Sequence, residues 1–165
     1  MTIRSILRYP DPRLRQQTVA ITQFDAALAA LAVDLQETMR AAPGIGITGP
    51  HIGAMQRLVV LELEGPASTR IYVNPIITWQ STETARHVEG SVSMPGISEE
   101  VERPARIHLT YQDLNGQNHA EEADGFLAVC LQHEIDQLDG VFWIFRLSRL
   151  KRDRLMKRFE RQRSG

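Results

Sequence analysis

Cysteine, long apolar runs and internal repeats are scarce or absent in this chain of 165 residues, and each absence excludes a class of protein. The single cysteine, Cys130, rules out an internal disulfide framework. The N-terminus, Met1-Thr2-Ile3-Arg4, lacks the apolar run of a secretory signal, and no apolar stretch approaches the about 18 residues that cross a membrane. We therefore expect a cytoplasmic protein with one domain over residues 1–165.

The apolar periodicity predicts an α+β domain, with helices before, within and after a series of strands. The first helix is expected to open at Thr22-Gln23-Phe24-Asp25, which resembles a capping box, and to end before Pro43-Gly44. A hairpin turn is expected at Asn115-Gly116. The expected strands lie at 57–63, around Tyr72, and over the alternating Ile107, Leu109 and Tyr111.

A second, mostly apolar helix is predicted to follow Asp124-Gly125 and to stop at Gly140. Because it has apolar residues on most sides, it should be buried among mainly antiparallel strands, and its polar residues need partners or a purpose. The run 141–145 is short and bounded by helix breakers, which favours a buried strand. Ser148 is positioned to cap a last helix that runs to about Arg163.

A histidine and a glutamate are adjacent on the second helix, in His133-Glu134-Ile135-Asp136-Gln137. Metal hydrolases of the HExxH type need imidazoles at positions i and i+4, which share one helix face, and a glutamate beside the first as general base. Here Gln137 takes the place of the second imidazole. Taken alone, the pair therefore favours the simpler interpretation of a buried histidine satisfied by a neighbouring carboxylate.

Two further segments change that interpretation. The segments 44–53 (GIGITGPHIG) and 89–96 (EGSVSMPG) resemble the first two signature motifs of the peptide deformylases, in the right order, and 132–140 resembles the third. The similarity continues outside the motifs, at 7–15, 72–75 and 122–125. Three ordered motifs on a matching framework are more specific than any one of them. The chain is thus identified as a member of this family over nearly its whole length.

The resemblance implies the reaction of the family, which removes the formyl group from N-formylmethionine on nascent chains. The family uses iron or another divalent ion held by a Cys and two His, and the resemblance places these ligands at Ser91, His133 and Gln137. Two of the three ligands are therefore changed. The general base and acid of the family falls on Glu134, which is intact.

The resemblance also assigns the groups around the reacting atoms. The oxyanion-binding glutamine of the family falls on His51, and the backbone N–H of Val92 would be the second donor. The Glu–Arg support pair falls on Glu89 and Arg103, both present. The implied substrate pocket comprises Gly44, Ile45, Gly46, Phe126, Val129, Cys130 and His87, the last at a position that is usually apolar.

The family uses iron or zinc, but with Ser91 and Gln137 at ligand positions we expect no firmly bound metal. We also expect deformylation of N-formylmethionyl peptides to be weak or lost. The expected partner is a peptide N-terminus or a small acyl amide. Two alternatives stay open. One is a non-catalytic pseudoenzyme that binds a peptide N-terminus or small ligand. The other is an amidohydrolase whose metal site is re-formed from His51, His133 and either Ser91 or Glu134.

Three smaller interpretations concern residues beside these motifs. A serine-hydrolase site, with Ser91 as nucleophile and His133 as base, lacks an assured third group to orient the base. Cys130, one helical turn before His133, is more typical of a small core residue than of a reactive thiolate. Asp136 and Asp139 are expected to face solvent or to cap the helix.

The charge is unevenly distributed along the chain. Residues 146–165 hold nine Lys or Arg and two acidic residues, a balance of +7, so the remainder carries −8 within a total of −1. At 148–163 this composition suits a helix that docks its apolar side on the body and shows its charge outward. A plain solvated helix is the simpler interpretation. The C-terminal helix of the family docks on the ribosome, so the resemblance implies a ribosome contact. Neither a membrane nor DNA is an expected partner.

Overall fold

The strands form two antiparallel sheets in the computed structural model, which describes residues 2–164. The larger sheet has five strands in the order β1-β2-β3-β6-β7, and the smaller is the hairpin of β4 and β5. The strands are β1 (Gly46–Thr48), β2 (Leu58–Leu61), β3 (Arg70–Gln80), β4 (Thr84–Ser91), β5 (Met94–Pro104), β6 (Arg106–Gln112) and β7 (Asn118–Asp124).

Three α-helices accompany these strands: α1 (Ala26–Ala41), α2 (Gly125–Leu138) and α3 (Arg149–Ser164). Short 3-10 turns lie at Pro12–Arg15, Gly49–Ile52, Pro66–Ser68 and Trp143–Arg146. The predicted α+β class is therefore confirmed. No helix within residues 2–164 is long and apolar enough to span a membrane.

The first helix begins three to four residues later than the capping-box pattern indicated. Asp25, not Thr22, is the N-cap, and its side chain accepts a hydrogen bond from the N–H of Leu28 at 3.1 Å. The predicted end before Pro43 is confirmed. The apolar face of α1 packs on β1 and β2, which brings the loop that follows α1 to the edge of the larger sheet.

The predicted strand at 141–145 is wrong. Phe142 precedes a 3-10 turn at Trp143–Arg146, although its side chain and those of the next two residues are buried as expected. The ring of Phe142 stacks on Tyr9 with centroids 4.9 Å apart. A short apolar run indicates burial but not backbone conformation.

Helix α2 lies across the larger sheet and carries the third motif. Its apolar side packs with residues of β2, β3 and β6, while its other side faces the β4–β5 hairpin. The predicted start after Asp124 and the stop before Gly140 are confirmed. The hairpin was not among the expected strands, yet it forms the wall opposite α2.

Gly140 ends α2 in a conformation that other residues adopt at a cost. Its φ is +78°, and a Cβ there would lie 2.7 Å from the carbonyl oxygen of Arg15. We expect Gly140→Ala to destabilise the protein by about 2 kcal/mol or more, since left-handed strain and a backbone clash add. Gly53→Ala is the control, because Gly53 has a similar φ of +81° but meets only the flexible guanidinium of Arg13. If urea unfolding showed the same loss of unfolding free energy in both variants, the clash with Arg15 would be contradicted.

Candidate active site

The three motifs converge on one cavity of about 500 Å³ between the loop after α1, the β4–β5 hairpin and α2. The lining includes most residues that the resemblance assigned to the site: Gly44, Ile45, Gly46, His51, Glu89, Ser91, Val92, Phe126, Val129, Cys130, His133 and Glu134. Residues that sequence reasoning missed also line it: Ala42, Pro43, Val88, Gly90, Met94, Pro95, Gly96 and Ile97. Of these, residues 90 and 94–96 belong to the second motif and could have been found from it.

Gly46 allows β1 to approach α2. A Cβ at this position would overlap the Oε2 atom of Glu134 and lie 2.9 Å from a methyl group of Leu61. The absence of a side chain therefore makes room for the Glu134 carboxyl group against the backbone of the first motif. This close approach places the glutamate of the third motif inside the cavity wall.

Glu89 is the centre of a buried charge network. Its two carboxylate oxygens accept hydrogen bonds from Nε and Nη2 of Arg103 at 2.6 and 2.9 Å, and the Oε1 atom also lies 2.8 Å from Nδ1 of His133. Burial opposes ionisation of Glu89, but the hydrogen bonds from His133 and Arg103 outweigh it and lower the pKa of Glu89 to about 2. The carboxylate thus stays charged and orients the imidazole.

Asp136 extends this network toward the surface, which corrects the expectation that it faces solvent. Its Oδ2 atom accepts from Nη1 of Arg103 at 2.9 Å and from Nε of Arg146 at 2.8 Å. Asp136 therefore links the buried pair of β4 and β5 to Arg146, just before α3. Asp139, by contrast, is half-exposed and pairs with Arg57.

The pKa values of His133 and Glu134 are both raised, for different reasons. Burial disfavours the imidazolium of His133, but its hydrogen bond to Glu89 prevails and raises the pKa of His133. Burial raises the pKa of Glu134 to about 7, with the positive charge of His133 opposing this shift. The Oε1 atom of Glu134 is buried, lies 3.8 Å from Nε2 of His133, and has no hydrogen-bond partner within residues 2–164. A buried carboxyl with a pKa near neutrality is suited to proton transfer.

His51 is held by the segment that precedes it. The backbone N–H of Thr48 donates a hydrogen bond to Nδ1 of His51 at 3.0 Å, and the Thr48 hydroxyl lies 2.9 Å from the same atom. Burial, followed by the charge of His133, lowers the pKa of His51 to about 3. The Nε2 atom has no hydrogen-bond partner within the described chain. Thr48 was missed in the sequence, because its role depends on its backbone.

Ser91 lies at the end of β4, where its hydroxyl oxygen accepts a hydrogen bond from the N–H of Ser93 at 3.1 Å. No hydrogen bond joins this hydroxyl to His133 in the part of the chain that the structure describes. The orienting carboxylate that the serine-hydrolase interpretation lacked is present in Glu89. The contact between nucleophile and base is the missing element of that interpretation.

Gln137 does not line the cavity, although the resemblance assigned it to the ligand set. Its side-chain amide donates a hydrogen bond to the carbonyl oxygen of Leu14 at 2.8 Å, and the residue is buried. The N-terminal 3-10 turn packs beside α2 and offers this acceptor, so the amide satisfies the backbone there.

His87 also lies outside the cavity, because the lining on β4 begins at Val88. The apolar rim consists instead of the half-exposed side chains of Ile45, Val88 and Phe126. Cys130 lines the wall, and burial raises the pKa of its thiol to about 12, with the charge of Glu134 adding to the shift. The thiol therefore stays protonated near neutral pH, in agreement with an unreactive cysteine.

The residues at the family ligand positions do not fit a divalent ion. Ser91 and Gln137 are neutral oxygen or amide groups, and the amide nitrogen of Gln137 is committed to Leu14. Within residues 2–164, no three His, Cys, Asp or Glu side chains are arranged to hold a metal ion. The residues at these positions therefore differ in ligand type from the set that the resemblance implies.

The raised pKa of Glu134 makes stability depend on pH. The folded chain binds this proton more tightly than the unfolded chain, in which a Glu side chain has a pKa of about 4.3. The stability that Glu134 contributes is therefore greatest below that pH and is lost as the pH rises through about 7. Glu134→Gln removes the titration. Between about pH 4 and pH 8 the variant should gain roughly 3 kcal/mol over the unmodified protein. Urea unfolding at both pH values measures this, and a constant difference would refute it.

Comparison with known proteins agrees with this geometry. Residues 3–153 match the family described as polypeptide deformylase. A Brucella melitensis protein named peptide deformylase-like is 63% identical over 161 residues, which cover 98% of each chain. A Phenylobacterium zucineum protein named peptide deformylase is 45% identical over 164 residues, covering 98% of this chain and 97% of the relative.

A solved structure supports the same assignment. The crystal structure of a peptide deformylase from Legionella pneumophila has a TM-score of 0.90 at 35% identity, covering 99% of this chain and 98% of that one. The sequence match, the relatives and the fold all agree with the three motifs around the cavity. The chain belongs to the peptide deformylase family.

Proposed function

We propose that this protein binds a peptide N-terminus or small acyl amide in its cavity, and that ordinary metal-dependent deformylation is weak or lost. The observation that carries the proposal is the hydrogen bond from Gln137 to the carbonyl oxygen of Leu14 at 2.8 Å. It commits the side-chain amide at the third family ligand position to a backbone carbonyl, and Gln137 does not line the cavity. A pocket with this arrangement keeps the walls that would hold a bound molecule, but lacks the side chains that would coordinate a metal ion.

The chemistry of the remaining donors supports the same conclusion. A thiolate brings a negative charge and a soft donor to a divalent ion, whereas Ser91 does not ionise near neutral pH. Bound metal lowers the pKa of water from about 15.7 to about 7, and this shift supplies the nucleophile in metal hydrolases. A carboxyl such as Glu134 contributes typically ~10² to 10⁴-fold as a general base, which does not replace that effect.

The ligand-binding part of the proposal rests on the cavity walls. Ile45, Val88 and Phe126 form an apolar rim. The interior presents polar atoms of His51 and Glu134 that have no hydrogen-bond partner within residues 2–164. An apolar side chain at the rim and an acyl amide inside would match both surfaces. Relatives named peptide deformylase at 44–45% identity support an N-terminal peptide as the ligand class.

A re-formed metal site is the second candidate, and one observation favours it. The Nε2 atom of His51 and the Oε1 atom of Glu134 are both buried without partners within residues 2–164, and both residues line the cavity with His133. Unsatisfied buried atoms are sometimes the mark of a missing ion. The hydrogen bond from Thr48 to Nδ1 of His51 opposes this candidate, because it leaves the proton on Nε2.

The proposal predicts little metal and little deformylation. Protein purified without added metal should hold far less than one equivalent of iron or zinc after dialysis against a weak chelator. Formate release from an N-formylmethionyl peptide should be at least ~10³-fold below that of an ordinary peptide deformylase. Elemental analysis and a formate assay measure the two quantities. Brisk release that Glu134→Ala abolishes would refute the loss of activity.

The matched control restores the family residues. The triple change Ser91→Cys, Gln137→His and His51→Gln should recover metal binding first and some deformylation second, while each single change should do little, because ligands act as a unit. Gln137→His must also break the hydrogen bond to Leu14. A folded triple variant that stays free of metal would locate the divergence in the geometry around Gln137.

We propose, in addition, that α3 contacts the ribosome in the cytoplasm. Leu155 and Phe159 are buried against the core, so the helix is docked and its basic side chains face outward. Arg158 and Arg163 donate to backbone carbonyls of the body at 3.3 Å, and most other basic residues of α3 are exposed. This surface suits the phosphate backbone of RNA.

Charge removal tests this contact better than truncation, because deleting α3 would expose the sites of Leu155 and Phe159. The variant Lys151→Gln, Arg154→Gln, Lys157→Gln, Arg161→Gln should weaken co-sedimentation with ribosomes. It should also lower the salt slope of binding by roughly one for each phosphate that the helix no longer neutralises. Neutralising Arg86 and Arg106, exposed on β4 and β6, is the control. Equal co-sedimentation of both variants would refute the contact.

A further inference from the structure

The protonation state of His51 follows from its contact with Thr48. The backbone N–H of Thr48 can only donate, and it points at Nδ1 of His51 from 3.0 Å. The Nδ1 atom must therefore be the unprotonated acceptor, so the single proton of the neutral ring lies on Nε2. The nearby hydroxyl of Thr48, at 2.9 Å, can donate to the same atom and agrees with this tautomer.

The proton on Nε2 has no acceptor in the described part of the protein. His51 is 1% exposed and lines the cavity, and its Nε2 atom has no hydrogen-bond partner within residues 2–164. Burial of the imidazole disfavours its charged form. A buried N–H that faces a cavity without an acceptor is a binding position for a ligand oxygen.

We propose that Thr48 fixes His51 as a neutral Nε2–H donor that binds the acyl oxygen of the ligand and that does not coordinate metal. Coordination through Nε2 would move the proton to Nδ1, where it would face the N–H of Thr48. Two donors would then oppose each other in a buried site, and the hydrogen bond between them would be broken. The choice of ligand rests on the proposed function, whereas the tautomer does not.

Glu134 supplies the second half of the recognition. Its Oε1 atom is buried and unpartnered within the same stretch of chain, and it borders the same cavity. An acyl amide offers a carbonyl oxygen for His51 and an N–H for this carboxyl oxygen. An ester offers only the first of these contacts. The pair therefore favours amides over esters of equal size.

Imidazole nitrogen NMR of protein labelled with ¹⁵N-histidine tests the tautomer, with the His51 signals assigned by their loss in His51→Gln. The expected result is a neutral ring with the proton on Nε2, unchanged after zinc chloride is added. A proton on Nδ1, or replacement of the Nε2–H signal on zinc addition, would overturn the proposal. This measurement needs no ligand and no activity.

Calorimetric titration with N-formylmethionyl-alanine tests the ligand contact. His51→Phe removes the donor and should weaken binding about 5- to 10-fold, a loss expected for one hydrogen bond to a buried acceptor. His51→Gln, which offers an amide N–H, should lose less. Equal affinities of the unmodified protein and His51→Phe would overturn the contact. Failure of every protein to bind, with the expected tautomer seen by NMR, would refute the proposed function and leave the assignment of the donor intact.

Discussion

The buried carboxylate of Glu89 is the group on which the rest of the site depends. It holds Arg103 on the next strand through two hydrogen bonds and His133 on α2 through a third. A buried charge that loses a partner typically costs about 3–5 kcal/mol, so these contacts have to be kept together. They join the hairpin to the helix and thereby set the width of the cavity. Asp136 carries the same network on to Arg146.

The other polar groups around the cavity are oriented by the same need for partners. The N–H of Thr48 donates to Nδ1 of His51, and the N–H of Ser93 donates to the hydroxyl oxygen of Ser91. The amide of Gln137 donates to the carbonyl oxygen of Leu14. Each contact restricts the orientation of the side chain that makes it. The cavity is left with an imidazole N–H and a carboxyl group, which suit the recognition of an amide better than the binding of a cation.

The sequence predicted the parts of this arrangement that follow from local patterns. The periodicity of α1, the alternation of β6 and the glycine after α2 led to elements at the right places. The motifs brought Glu89, His133 and Glu134 into one expected site, and the structure brings them together. The interpretation of 141–145 was wrong, because an apolar run reports burial without reporting which backbone conformation achieves it.

The sequence by itself determined the family, the α+β class and the departure at Ser91 and Gln137, because residue identity and spacing are enough for these. Only the tertiary structure decided which atom each polar side chain meets. Asp136 and Gln137 lie on one helix, next to each other, and both look exposed or functional in the sequence. One joins Arg103 and the other joins a backbone carbonyl 123 residues away along the chain. Partners so distant in sequence leave no local pattern, so their choice is made by packing.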